Sequence, residues 1–176
     1  MKRSIYILFA IAVLFAGCTK PEKIRTSGTD TIDNITYFST TYFYYGFSFS
    51  KAKLISTESN PHPDITLYVN KDNVPYRVTL QASNLKPSFY KLGDYADEDA
   101  AKAAFNNLTT VSVAQWEEMA DPIEENQVWL YRTVTECYAK IRIISTVNEN
   151  REGVDYGECT FQWVYQPDGS STFPVK

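Results

Sequence analysis

Phe43, Tyr45, Phe47 and Phe49 alternate with Tyr44, Gly46, Ser48 and Ser50. A period of two marks a strand that turns one face to a core. No other feature constrains the fold as strongly. Four large rings on one side of a strand need a second apolar layer to cover them. Eight of the 13 residues from Tyr37 to Phe49 are aromatic, so the first strand region is expected over 37–55. Its phase slips afterwards, since Ala52 and Leu54 are apolar while Lys51 and Lys53 are not. A bulge or turn near Ser50-Lys51 accounts for the slip.

The remaining segments follow the same logic. Asn60-Pro61-His62-Pro63 closes a loop over 57–63. Ile65–Val69 and Tyr76–Leu80 flank Asn70-Lys71-Asp72-Asn73 as a hairpin. Asp97-Glu98-Asp99 then open a helix whose face is Ala101, Ala104, Phe105 and Leu108. A second short helix is expected from a Ser112 N-cap with Gln115 three places on. Its stripe is Val113, Trp116, Met119 and Ala120, and Asp121-Pro122 ends it. The last strands are 127–133, 138–145 and 160–165, with a long polar loop over 146–159. Setting Ile141 opposite Trp163 puts Ala139, Ile141 and Ile143 on one side with Phe161, Trp163 and Tyr165. Lys140 and Arg142 then face outward, as a one-sided antiparallel sheet requires. The expected fold class is therefore α+β: a single domain dominated by antiparallel sheet, with two short helices before the C-terminal strands.

The same register bears on Cys137 and Cys159. It sets Cys159 opposite Ser145, eight residues along the strand from Cys137. At about 3.4 Å per residue the thiols lie beyond disulfide reach. Two unpaired, mostly buried thiols are expected. An unrecognised bulge would change that pairing, and an oxidising compartment would favour a bridge.

The N-terminus speaks to location. Lys2 and Arg3 precede an apolar run from Ile5 to Phe15, and Ala16-Gly17-Cys18 follows. A membrane span needs about 20 apolar residues, so this run has the length of a signal-peptide core. The pattern resembles the bacterial lipoprotein signal, with Leu14 one place earlier than usual. That resemblance implies cleavage after residue 17 and lipid on Cys18. With two or more acyl chains, at about 0.8 kcal/mol per buried methylene, the lipid holds a domain on a membrane without a spanning helix. Thr19 rather than Asp follows the Cys, which points to the outer membrane, on either its periplasmic or its external side. The layout expected is signal peptide 1–17, lipidated Cys and flexible tether 18–36, and one β-rich domain 37–176.

Charge and motifs narrow the function by exclusion. Formal net charge is −4; residues 1–17 hold two bases and no acid, so the processed chain carries −4 − 2 = −6. An acidic chain is a poor nucleic-acid partner. One histidine in the whole chain, His62, forbids multi-histidine metal sites. The acids from Asp94 to Glu125 do not follow the spacing of a calcium loop and are read as solvated surface. There is no nucleophile elbow and no phosphate-cradling glycine loop, so a non-catalytic role is expected. Tyr42 and Tyr44 lie opposite the core-facing rings. Either they are exposed for stacking on a ligand or they sit under a covering layer.

Two stretches resemble known proteins. Tyr138–Ser145 followed by Thr160–Ser170 is similar to the C-terminal strands of the HmuY-like lipoproteins of Bacteroidetes. Tyr45–Ser50 and Asp64-Ile65-Thr66-Leu67 resemble that family's early strands, with Pro63 where the family has Trp. The resemblance implies an HmuY-like β fold and, for some members, haem held by paired His or Met ligands. Here only His62 and Met119 offer such groups, and the helical stripe assigns Met119 to packing. The expected function is non-catalytic binding of a small ligand, glycan or protein partner at the envelope, without a cofactor. Haem or iron-compound capture is the alternative, and a structural or adhesive surface protein is a third. Candidate ligand-binding residues are Tyr42, Tyr44 and His62.

Overall fold

The computed structural model describes residues 24–34, 44–70 and 76–174. Cys18 and Tyr42, with the leader, lie outside them. Ten strands and one helix follow in chain order. They are β1 (Ser27–Asp33), β2 (Tyr45–Ser48), β3 (Lys53–Ser56), β4 (Ile65–Asn70), β5 (Arg77–Ala82) and β6 (Phe89–Asp94). Then come α1 (Glu98–Asn107), β7 (Met119–Ala120), β8 (Gln127–Arg132), β9 (Tyr138–Arg151) and β10 (Val154–Gln166).

The strands form two five-stranded antiparallel sheets, ordered β1-β10-β9-β8-β6 and β3-β2-β4-β5-β7. The alternation in β2 does what its pattern demands. Phe47 and Phe49 are fully buried. Phe47 meets Phe161 and Trp163 of the other sheet, each with ring centroids 5.3 Å away. Phe49 reaches Tyr131 at 5.5 Å and stacks on Tyr165 at 6.1 Å. Rings from both inner faces thus interdigitate, the usual way a sandwich fills its core. The turn expected near Ser50-Lys51 joins β2 to β3.

A third layer covers the outer face of the first sheet. Asp97 caps α1, its Oδ1 accepting from Ala100 N–H at 2.8 Å. Ala101 and Phe105 of α1 pack with Val128, Leu130, Val164 and Phe173. Lys140 and Arg142 lie beneath this layer, only 3% and 4% exposed. The sheet is therefore two-sided, contrary to the one-sided reading. Lys140 donates from Nζ to the carbonyls of Phe105 and Leu108, at 2.7 and 2.9 Å. It thus satisfies acceptors at the C-terminal end of α1, where a helix welcomes positive charge. Arg142 donates to Gln162 Oε1 at 3.0 Å and pairs with Glu98 at 3.5 Å. Burial of both bases is possible because each hydrogen-bonds under the helix.

Three other expectations need correction. The second helix does not form. Val113 and Trp116 join the helix-side cluster, while Ala120 enters the inter-sheet core. Glu117 exchanges backbone bonds with Phe89, at 2.7 and 2.9 Å, and Met119–Ala120 adds to β5. Isolated helices this short are marginal, so tertiary strand pairing wins. The polar stretch read as a tether contains β1, paired along its whole length with β10. The one large apolar side chain of β1, Ile32, is buried, and Asp30 accepts from Trp163 Nε1 at 2.7 Å. Backbone pairing needs no apolar composition, so composition did not reveal it. Finally, 146–159 is no loop, because β9 and β10 run on to a tight turn at Glu152-Gly153. Both turn residues have positive φ, +51° and +87°, which suits a two-residue hairpin.

Ile141 pairs with Trp163 as expected. A register shift between Thr160 and Phe161 leaves Ile144 as an extra residue, so Cys159 faces Thr146 rather than Ser145. Cys137 and Cys159 are both free and buried. Among the described residues no helix is long and apolar enough to cross a membrane.

Candidate functional site

One end of the sandwich is hollow. The C-terminal ends of β2, β5, β8 and β10 and the start of β4 meet there around a cavity of about 350 Å³. Ser48 and Ser50 of the β2–β3 turn form one wall, and Asn60, Pro61, His62 and Pro63 of the next loop form another. Ser83 and Asn84 follow β5. Thr133, Val134 and Thr135 belong to the β8–β9 turn. Tyr131 and Tyr165 are among the most deeply buried lining residues.

Asp64 ties these pieces together. Its N–H donates to Phe47 O at 2.9 Å. Its carbonyl accepts from Ser83 N–H at 3.0 Å and from the Tyr131 hydroxyl at 2.7 Å. Its carboxylate accepts from Phe49 N–H at 2.8 Å through Oδ2. One residue therefore joins three strands of one sheet to β8 of the other. Burial pushes its carboxyl up to about 6, and the bonds from Phe49 and Ser48 restrain the rise. Burial also pushes the Tyr131 hydroxyl up, with the neighbouring Asp64 charge adding to it. Tyr165 moves the same way, by burial first and then by its hydrogen bond with Cys137.

The walls are held by local bonds. Gly46 lets Pro63 lie directly on β2, since a Cβ there would sit 2.5 Å from Pro63 Cγ. His62 Nδ1 lies 2.6 Å from Thr57 O. A carbonyl only accepts, so Nδ1 carries the proton and a neutral ring keeps its Nε2 lone pair free. Asn84 Oδ1 accepts from Lys86 N–H at 2.9 Å, leaving the amide NH₂ as the group able to donate elsewhere. In the β8–β9 turn Thr133 Oγ1 accepts from Cys137 N–H at 3.0 Å. Ser83 differs from all of these. Its Oγ is buried without a hydrogen-bond partner among the described residues.

Of the expected site residues that are described, Tyr44 and His62, only His62 lines this cavity. Tyr44 is 48% exposed but does not line it. Met119 is 37% exposed on β7, away from the lining and from the packing role its helical stripe implied. The acids between Asp94 and Glu125 are dispersed. Asp94 bonds Lys91 and Gln127, Asp97 caps α1, and Asp121 accepts from Thr79. Among the described residues no three His, Cys, Asp or Glu side chains are grouped to hold a metal. The main residues missed were Asp64, Ser83, Asn84 and the two tyrosines. Asp64 had a faint signal, an acid just after the Pro-His-Pro turn. The others come together only through the pairing of distant strands.

No protein-family model matches this chain, and none of the curated proteins does.

Proposed function

We propose that this chain is a non-catalytic envelope lipoprotein that binds a small, uncharged polar ligand in the cavity at the end of its sandwich. Lipid on Cys18 would hold it at the outer membrane. The observation that carries the reading is the cavity itself: about 350 Å³, within the range of small-molecule sites, with walls fixed to strand ends. Its residues include Ser, His and Asp, but their hydrogen bonds form no nucleophilic relay. His62 bonds a backbone carbonyl and not a serine hydroxyl, and Asp64 accepts from the Phe49 amide and from Ser48. That pattern supports holding a ligand rather than activating a hydroxyl. The stabilisation that a bound molecule gives the folded state tests this. A panel of small neutral compounds should contain members that raise the melting temperature, and Asn84→Trp, which crowds the lining, should abolish the rise. Membrane attachment has its own test. Cys18→Ala should move the protein from the membrane fraction to the soluble one.

The haem alternative draws on one observation, the free Nε2 of His62 in the cavity. Met119 does not line the same cavity, and among the described lining residues there is no Met, no Cys and no second His. A saturable Soret shift lost in His62→Ala would favour haem over the neutral ligand.

A further inference from the structure

The three most exposed large apolar side chains among the described residues are Leu85, Val134 and Ile24, at 67%, 62% and 54%. They come from distant parts of the chain, yet they share the cavity end of the sandwich. Leu85 follows Ser83 and Asn84 of the cavity wall, and Val134 is itself a lining residue. Ile24 stands just before two residues that bond at the same end. Arg25 donates to Ala52 O of the β2–β3 turn at 2.9 Å, and Thr26 O accepts from Tyr165 N–H at 2.7 Å. Single exposed apolar residues are ordinary, but three gathered at one end of a domain call for a partner. The turn itself does not ask for Leu85. Its φ is +54°, a conformation that Gly or Asn adopts at lower cost.

Where the chain leaves the domain sets the partner. Cys18 lies six residues before Ile24. At full extension six residues reach about 20 Å. Strand β9 runs 14 residues from this end to the hairpin turn at the other, a distance of about 45 Å. A lipid on Cys18 therefore cannot bring the hairpin tip down onto a bilayer, and it keeps the cavity end nearest.

We infer that the end carrying Leu85, Val134 and Ile24 docks on the phospholipid surface that holds the anchor, with these side chains reaching the boundary between headgroups and acyl chains. This rests on the lipid at Cys18, and the experiment separates the two. Lys86, exposed beside Leu85, has an apolar stem and a charged tip that suit headgroup phosphates. Glu136 and Asp168 are exposed at the same end, so apolar contact rather than charge drives the docking. The cavity then lies beside the headgroup layer. The hairpin tip, with Glu149, Arg151 and Glu152 exposed, points into water.

The test uses the full-length lipidated protein in vesicles of phosphatidylethanolamine and phosphatidylglycerol. Leu85→Cys, Val134→Cys and Val154→Cys each carry a nitroxide, Val154 being an exposed residue at the hairpin end. Burial shields Cys137 and Cys159 from the label. Collisions with oxygen, which dissolves in the acyl layer, are compared with collisions with a water-soluble nickel chelate. Labels at 85 and 134 should show a several-fold higher oxygen-to-nickel ratio than the label at 154. Ile24→Asp combined with Val134→Asp should return the label at 85 to the value in water while the protein still floats with the vesicles. A label at 85 that ignores this pair would overturn the inference, because the apolar side chains would not be the contact. Protein that floats while all three labels stay in water would overturn the docking and keep the anchor. A label on the lipid side at 154 alone would overturn it by docking the opposite end. Protein left in solution would overturn both.

Discussion

Two regions of this molecule bury polar side chains, and they do so in opposite ways. Beneath α1, Lys140 reaches two helix carbonyls, and Arg142 reaches Gln162 and Glu98. These charges hold a layer in place. At the open end of the sandwich, the Ser83 hydroxyl has no partner among the described residues, and burial keeps the Asp64 carboxyl well above its ordinary range. Polar burial is matched beneath α1, whereas near the cavity the Ser83 hydroxyl is left unmatched among the described residues. Evolution tolerates such local cost mainly at sites of function.

Lys140→Met is the strongest way to break that comparison. Methionine fills similar space but donates nothing to Phe105 O and Leu108 O. Loss of a charged, buried bonding group should cost about 2–4 kcal/mol in denaturant unfolding. A change below about 0.5 kcal/mol, the range of ordinary surface substitutions, would mean that the lysine merely fills space.

Asp64 offers the next effect, and its sign is opposite. Its folded value of about 6 lies above its ordinary 3.8. The folded state therefore holds the proton more tightly than the unfolded one. The resulting stability is fully present below pH 4 and is lost as pH rises through about 6. The span amounts to about 3 kcal/mol at most. Asp64→Asn keeps an oxygen to accept from Phe49 N–H and cannot ionise. It should flatten stability between pH 4 and 6 and raise the melting temperature at pH 7. A wild-type curve already flat over that window would show that the carboxyl is not held up by burial.

Ser83→Ala should have the smallest effect. Removing an unpartnered hydroxyl takes away no bond, so stability should stay within about 0.5 kcal/mol or rise slightly. A loss above about 1 kcal/mol would show that the hydroxyl is matched after all, and the contrast between the two regions would fail.

How much of this was legible in the sequence can be judged element by element. The rings of Phe47 and Phe49, the face of Ala101 and Phe105, the Asp97 cap and the pairing of Ile141 with Trp163 all follow from local periodicity and composition. Strand β1 and the extension of the β9–β10 hairpin over 146–159 were hidden, because their pairing is backbone to backbone and their side chains are mostly polar. The second helix was misread for the converse reason. Its stripe was real, but Val113 and Trp116 on one side and Ala120 on the other serve two different cores.

The candidate site lay further from view. His62 could be singled out as the lone histidine of the chain. Nothing local placed it with Ser83, Tyr131 and Tyr165, which belong to distant strands. By itself the sequence determined that an aromatic-rich sheet with an apolar inner face would form, because alternation every second residue places the rings on one side. Only the tertiary structure decided which ends of those strands would meet, since long-range pairing sets strand order and periodicity carries no record of it.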